Sequence, residues 1–252
     1  MHILGIDIGG SGIKGAPVDA DAGNILGEGF RLDTPVGAKP ADVAATVAEV
    51  VKQFNWTGPV GCGFPAVIQK GVAQTASNVD QSWIGMNADK LFERATKLKF
   101  TVINDADAAG LAEMRFGAGR GNDGVVLMVT VGTGIGSALF TRGLLVPNTE
   151  FGQVDMGGKI AERRVSDAAR QRKDLTWKEW AKRFNVYLQM MESYLYPDLI
   201  IIGGGASKEW KVFAEHLETR AKTVPAKLLN EAGTIGAALA SDALVTSSAV
   251  LK

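Results

Sequence analysis

Phe100-Thr101-Val102-Ile103-Asn104-Asp105-Ala106-Asp107 leads the stretch from which the rest of the chain is read, 101–120, TVINDADAAGLAEMRFGAGR. A β-branched apolar run passes directly into a segment rich in Ala, Leu, Glu and Met, which stops at Gly117. A strand feeding a helix puts its last polar residues at the carboxyl end of a sheet, where ligands of open α/β folds bind. Asn104 or Asp105 would also serve simply as a helix cap, since Asn and Asp are favoured there. Two glycine turns elsewhere in the chain decide between the cap alone and chemistry.

Working outward, composition removes several classes. With 252 residues the chain has room for one large domain or two smaller ones. Lys plus Arg and Asp plus Glu both number 27, so no global field draws in nucleic acid or an acidic membrane, and neither is expected as a partner. One cysteine, Cys62, excludes an internal disulfide and a thiolate zinc cluster, and reads as a small core residue. Two histidines, His2 and His216, argue against a histidine metal site or a Ser-His-Asp triad; His216 is expected on an amphipathic helix. The amino end enters a strand at once, without the basic segment and apolar core of a signal peptide, and no apolar run approaches a membrane span. A cytoplasmic location is expected.

The first glycine turn follows the opening strand, His2 to Ile8: Gly9-Gly10-Ser11-Gly12, then a second strand from Ile13-Lys14-Gly15. Gly10 to Gly15 spells GxGxxG, but a dinucleotide fingerprint needs a helix after the glycines. Here Pro17 and Gly23 prevent one, and the GxxxxGK[ST] spacing of a Walker loop is absent too. A strand, glycine turn and strand can still hold phosphate, because consecutive backbone N–H groups form an anion-binding concavity. Asp7, just before the turn, could hold Mg²⁺ through water, since that ion wants only one or two carboxylates. A further strand-like run spans Ile25 to Leu32, a helix spans Pro40 to Phe54 with Val43, Val47, Val50, Val51 and Phe54 on one face, and a short helix spans Asp89 to Leu98. Between the helices lie the strand ending Gly63-Phe64-Pro65-Ala66 and the polar segment Thr75 to Trp83, where Asn78 could bond sugar hydroxyls with Trp83 packing beneath or buried as core.

The second half repeats the device. Gly117 to Asn122 reads as a hinge, and a buried strand, Val125 to Val131, breaks at Gly132-Thr133-Gly134-Ile135-Gly136 before resuming at Ser137. Two such hairpins suggest two related halves, each offering a phosphate turn to a shared cleft, with Asp105 between them in sequence. A third glycine turn, Gly203-Gly204-Gly205, follows the strand Leu199 to Ile202 and precedes a helix from Lys208.

Ile6 to Lys14, Asn104 to Asp107 and Thr130 to Gly136 resemble the sugar kinases of the ROK group, within the actin/hexokinase-like superfamily. The resemblance is closer still to polyphosphate glucokinases, through Ala76 to Gly85, Leu175 to Ala181 and Ile202 to Lys208. It implies an α/β chain with a two-domain actin-like ATPase (ribonuclease H-like) fold and a cleft between the domains. The division expected is 1–115, with the first turn and the catalytic acid, and 116–252, with the last helix packing back on the first domain. It implies a phosphotransferase with an alcohol acceptor, forming glucose 6-phosphate from polyphosphate. The alternatives are an ATP-dependent glucokinase or mannokinase and, in another class, a sugar sensor without catalysis.

Residue by residue, the resemblance makes Asp105 the general base for the sugar's 6-hydroxyl, ionised at a helix amino terminus. Pro65, Asn78, Asn104 and Glu150 would contact sugar, with Gln153 where the family has His and Asp155 where polyphosphate members have a second Glu. The ATP-dependent members bind zinc through that His and a downstream cysteine cluster; both are missing here, so no zinc is expected. Gly9, Gly10, Ser11, Gly12, Lys14, Thr133, Gly134, Gly204 and Gly205 would cradle donor phosphates, with Mg²⁺ neutralising charge. Glucose, polyphosphate or ATP, and a second copy of the chain as homodimer are the implied partners.

Two segments stand apart from these motifs. Lys159 to Asp174 carries Lys159, Arg163, Arg164, Arg170, Arg172 and Lys173, either a solvated helix face countered by Glu162, Asp167 and Asp174 or a track for a long polyanion. Thr176 with Glu179 forms a capping box opening a helix whose Trp177, Trp180, Phe184, Leu188, Met191 and Leu195 make a stripe of core or dimer surface ending at Pro197. Thr234 to Leu244 reads as a closely packing small-residue helix with frayed residues after it.

Overall fold

The computed structural model describes residues 1–250, with side chains as far as Ser241. It divides into two compact units: Met1–Ala112 with the segment from Glu231 onward, and Glu113–Asn230. The frayed end expected after the last helix lies outside the described residues.

The first unit contains β1 (His2–Ile8), β2 (Ile13–Asp19), β3 (Asn24–Ile25), β4 (Phe30–Leu32), α1 (Pro40–Gln53), β5 (Val60–Phe64), β6 (Ile68–Gln69), β7 (Val72–Ala73), α2 (Ala88–Thr96) and β8 (Phe100–Asn104). Its main sheet runs β3-β2-β1-β5-β8, with β4 also paired to β2. β1 and β2 form the antiparallel hairpin around the first glycine turn, and β1, β5 and β8 run parallel. The single run expected from Ile25 to Leu32 is two strands, because Gly27 takes a positive φ of 80° and breaks the extended chain.

Helix α1 starts on Pro40 and buries Val43, Val47, Val50 and Val51. Val is roughly 0.5 kcal/mol worse than Ala in a helix, but burying each contributes about 1.5 kcal/mol or more, so packing decides the conformation. Trp83 is fully buried, donates Nε1–H to the Ala38 carbonyl at 2.9 Å and packs on Phe64 and Phe92. It belongs to the core. Cys62 is buried in the same core.

One face of this sheet is floored with glycine. Gly5 of β1 pairs with Gly61 of β5, and a Cβ on Gly5 would overlap the Thr234 carbonyl. A Cβ on Gly61 would overlap the carbonyl of Ala237. Both contacts lie in α8 (Ala232–Val250), the small-residue helix read from the sequence, which therefore lies directly on the sheet. Its Gly236 sits against the backbone of Ala108 in α3 (Asp105–Phe116).

The second unit contains β9 (Val125–Val131), β10 (Ile135–Thr141), β11 (Leu144–Val146), α4 (Glu162–Val165), α5 (Asp167–Arg172), α6 (Trp177–Leu195), β12 (Leu199–Gly203), α7 (Trp210–Phe213) and β13 (Lys222–Pro225). Its sheet runs β11-β10-β9-β12-β13, again an antiparallel meander continued by parallel strands. Gly117 to Asn122, expected as a hinge, is a series of hydrogen-bonded turns in this unit, with Gly119 N–H donating to Glu113 O at 3.0 Å and Asn122 N–H to Gly119 O at 3.1 Å.

α6 carries the expected capping box between Thr176 and Glu179. Its Trp180, Phe184, Leu188 and Met191 are fully buried, and Trp180 stacks on Phe184 with centroids 4.6 Å apart, so the aromatic stripe is core. The helix expected from Lys208 is instead a 3₁₀ turn, Gly205–Glu209, and the single turn α7. Ser207 Oγ–H bonds back to the Gly204 carbonyl at 2.7 Å and tightens the start. His216 ends another 3₁₀ turn, Ala214–His216, and not an amphipathic helix.

Glu113, fully buried, shows how the second unit is tied together. Its Oε1 accepts the N–H groups of Lys227 and Leu228 at 2.9 and 2.7 Å, and its Oε2 accepts that of Ala118 at 2.7 Å. Glu113→Ala strands all three donors and is expected to lower unfolding free energy by about 2–4 kcal/mol, read from the urea midpoint. A loss below about 0.5 kcal/mol would mean that water replaces the carboxylate at no cost.

Candidate active site

In the first unit, the candidate residues gather at the carboxyl ends of β1, β5 and β8. Asp7 pairs across to Gly63, Gly63 to Ile103, and Phe64 to Asn104. The Cβ position of Gly63 lies 3.6 Å from the Asp105 Cα and 3.8 Å from Asp7 Oδ1, which places both carboxylate residues beside the end of β5. Asp105 is the first residue of α3 and half-buried; its Oδ1 accepts the Ala106 N–H at 2.8 Å.

Asn104 performs the capping. Its Oδ1 accepts the N–H groups of Ala106 and Asp107 at 2.9 and 3.1 Å, and its Nδ2 donates to the Ala66 carbonyl at 3.2 Å. With the neighbouring Asn104 serving as cap, Asp105 stays in the first turn, where the helix field favours a carboxylate. The bond to Ala66 also draws the Pro65 loop to the end of β8. Asn78 is exposed, in a loop held by Val67 N–H on Thr75 Oγ1 at 3.0 Å and by Gln81 Nε2–H on the Ala76 carbonyl at 2.8 Å.

The first glycine turn is held by its carbonyls. Gly12 O accepts the Gly9 N–H at 2.9 Å, Gly9 O accepts Thr34 Oγ1–H at 2.6 Å, and Ser11 O accepts Arg31 Nη2–H at 2.6 Å. Among the described residues, the N–H groups of Gly10, Ser11 and Gly12 donate to no protein acceptor. Backbone N–H groups left open in a glycine turn are what an anion binds. Lys14 lies beside it, its Nζ 3.6 Å from Asp7 Oδ2. Burial raises the Asp7 carboxyl above the usual carboxylate range, and Lys14 partly offsets that.

In the second unit, the turn Gly132–Gly134 closes with Gly132 N–H on Gly134 O at 3.0 Å. The Gly132 carbonyl accepts the Asp167 N–H at 3.0 Å, which ties the start of α5 to the turn. Glu150 is hooked to β10 through Ser137, whose Oγ–H donates to Thr149 O at 2.6 Å and whose Oγ accepts the Phe151 N–H at 3.0 Å. Glu162 lies against Gly134, its Oε2 accepting the Ile135 N–H at 3.2 Å. Desolvation and the charge of Glu162 raise the Glu150 carboxyl above its usual range. Gln153 and Asp155 are exposed, and Asp155 Oδ2 accepts the Gly158 N–H at 3.2 Å. Gly204, with φ of 73°, lies against the Val131 backbone, which brings the third glycine turn beside the second.

A model of the ROK family matches residues 3–149, more than half of the chain and both hairpins. The chain belongs to the ROK family. The polyphosphate glucokinase of Mycobacterium tuberculosis (strain ATCC 25618 / H37Rv) is 49% identical over 246 residues, covering 97% of this chain and 93% of its own. The inorganic polyphosphate/ATP-glucomannokinase of Arthrobacter sp. strain KM superposes with a TM-score of 0.93 at 45% identity, covering 96% of this chain and 99% of its own. A ROK glucokinase from Streptomyces griseus, solved with glucose and AMPPNP, gives a TM-score of 0.84 at 23% identity over 96% of this chain and 100% of its own, a likeness of fold alone. The fold is the actin-like ATPase fold of the ROK sugar kinases.

Set beside the sequence reading, the first unit brings Asp7, Gly9–Gly12, Lys14, Pro65, Asn104 and Asp105 to one sheet edge. The second brings Thr133, Gly134, Glu150, Gly204 and Gly205 around β9 and β10. Glu162, Arg31 and Thr34 were not among the expected site residues. Glu162 reads in sequence only as a counter-charge in a basic run, and Arg31 only as part of a strand-like run. The one signal for either was a charge at the edge of a motif.

Proposed function

We propose that this chain transfers the terminal phosphoryl group of polyphosphate to the 6-hydroxyl of glucose, giving glucose 6-phosphate and a shortened polyphosphate. The observation that carries this reading is the 49% identity with a polyphosphate glucokinase over 97% of the chain. In the step itself, the carboxylate of Asp105 takes the proton of the 6-hydroxyl as that oxygen attacks the terminal phosphorus. The anhydride P–O bond breaks, and its electron pair leaves on the shortened chain. Asn104, with one amide hydrogen beyond its cap and Ala66 bonds, and Glu150, Gln153, Asp155, Asn78 and Pro65 are the acceptor-side residues of this proposal. The open N–H groups of the first turn, with Lys14, Thr133, Gly134, Gly204 and Gly205, are its donor-side residues.

Mg²⁺ belongs to the same reading, and Asp7 fits it. Its side chain is 19% accessible, enough for a hydrated ion to reach a single carboxylate. The first turn of α8 lies close by, the Cβ position of Gly233 being 2.8 Å from Asp7 Cγ, and a helix amino terminus favours the ionised carboxylate. When bound, the ion would neutralise charge on the transferring phosphoryl group. Zinc is not part of the proposal, because Gln153 stands where the ROK histidine would. Cytoplasmic location and a homodimer remain with it, and Val186, Tyr194 and Tyr196 are exposed apolar residues suited to a dimer surface.

The test is glucose 6-phosphate formation with Mg²⁺, comparing polyphosphate with ATP. Turnover from polyphosphate is expected, with ATP as a second donor in view of the double specificity named for the Arthrobacter relative. Turnover with neither would overturn the reading.

The basic segment gives a second expected result. Arg170 is engaged, with Nε–H on Asp167 at 2.7 Å and its guanidinium 4.1 Å from the Trp177 ring centroid. Lys173 is different: desolvation and the charges of Arg183, Lys159, Arg164 and Arg172 hold its ammonium below the usual range. Such a cluster suits a polyanion. Arg172→Glu with Lys173→Glu is expected to raise KM for long polyphosphate about 10-fold at low salt, with tripolyphosphate little affected. Equal KM values for wild type and the double variant at both chain lengths would make the segment a solvated face.

A further inference from the structure

Arg31 lies at the first glycine turn, and nothing so far gives it a part in the reaction. The register places Asp7, Lys14 and Arg31 directly opposite one another on β1, β2 and β4. Directly paired residues share a face of the sheet, so a carboxylate and two cations form one row beside the turn. Two like charges opposite each other are unfavourable unless something negative sits over them. Lys14 has Asp7, whereas Arg31 has Asp33 at 2.8 Å, a side chain 86% accessible that screens it weakly.

The guanidinium of Arg31 also fills the space where Gly12 would carry a Cβ, and any side chain there would overlap its Nε, Cζ and Nη2. A Cβ at Gly12 would have to push this flexible side-chain end aside, so glycine there leaves the arginine its place against the turn. Arg31 holds the Ser11 carbonyl, while Thr34, three residues on, holds that of Gly9. With these carbonyls fixed, the N–H groups of Gly10, Ser11 and Gly12 remain for an anion. An arginine has five N–H donors, and two of Arg31's are used by Asp33 and Ser11.

We propose that Arg31 is a donor-binding residue, contacting the phosphoanhydride chain beside Lys14 while it keeps the first turn's N–H groups directed at the same phosphates. This deepens the donor reading above and rests on it. Polyphosphate and the triphosphate of a nucleotide present the same chemistry here, and the experiment carries an arm for each.

Tripolyphosphate and ATP are titrated calorimetrically into wild type, Arg31→Ala and Arg31→Lys with Mg²⁺ and no glucose, and the donor and glucose KM values are measured separately in turnover assays. A charged hydrogen bond lost from a phosphate predicts a weakening of donor binding in Arg31→Ala of about 10-fold or more. Arg31→Lys should recover part of it, because charge returns without the two-pronged geometry. The glucose KM should stay within about twofold, and the salt dependence of donor binding should flatten. Weakening with both donors supports a contact to the shared phosphates; weakening with tripolyphosphate alone supports one that only an inorganic chain reaches. Unchanged donor binding in Arg31→Ala overturns the proposal. Equal losses for donor and glucose, with no recovery in Arg31→Lys, also overturn it and make Arg31 a residue of the fold. Because binding is read without turnover, wild type that binds tripolyphosphate without phosphorylating glucose refutes the acceptor and leaves Arg31 to be judged on the variants.

Discussion

Asp105→Asn is expected to lower kcat by about 10²–10⁴-fold, the usual contribution of a positioned general base, with glucose binding little changed. The amide has nearly the shape of the carboxylate, and its Oδ1 can still accept the Ala106 N–H bonded at 2.8 Å in the native chain. What it loses is the capacity to take a proton at the 6-hydroxyl. The stability change should be small. Asn104 carries the cap, so the helix start is retained, and taking one first-turn acid out of the helix field costs about 0.3–1 kcal/mol. Single-turnover rates, glucose affinity and the melting temperature together check this. A kcat within tenfold of wild type would remove Asp105 from the base's role.

The second large effect is on the fold. A Cβ at Gly236 would overlap both the oxygen and the carbon of the Ala108 carbonyl. Helix propensity argues for Gly236→Ala by about 1 kcal/mol. The overlap argues against it, because both partners are helix backbone and neither can rotate away. Moving α8 from α3 would also lift it from Gly5 and Gly61. Overpacking of this kind costs about 1–3 kcal/mol and occasionally more, and a contact made by backbone on both sides belongs at the upper end. Gly236→Ala should therefore destabilise the protein by about 3 kcal/mol, despite the better helix former. An unfolding midpoint at or above that of wild type would show that the helices separate freely.

Much of this arrangement was legible in the sequence because it rests on local patterns. The strand-to-helix passage at Asn104-Asp105, the two strand–turn–strand hairpins (residues 2–19 and 125–141) and the capping box at Thr176 and Glu179 are each formed by one short continuous stretch of chain. Their alternation and turn chemistry indicate their form. Less was visible where long-range contacts decide. Trp83 could lie beneath a ligand or in the core, and only the positions of Phe64, Phe92 and the Ala38 carbonyl settle it as core. Arg31 and Glu162 lie far along the chain from the turns they touch, so their spacing carries no motif. Where a helix is expected from Lys208 the chain makes a 3₁₀ turn, with both the hydroxyl and the N–H of Ser207 on the Gly204 carbonyl, a local competition that apolar spacing does not reveal.

The dependence of the first sheet on α8 has a consequence for synthesis. Residues 113–230 form a continuous unit, whereas the unit begun by Met1 is completed only by the segment from Glu231 onward. At roughly 5–20 residues per second, the ribosome needs on the order of ten seconds to pass through the intervening stretch. For that interval Gly5 and Gly61 present a bare sheet face with no helix to cover it. The strands β1 to β8 thus leave the ribosome well before the helix that covers them, and over these strands the nascent chain is open to misassembly or chaperone capture.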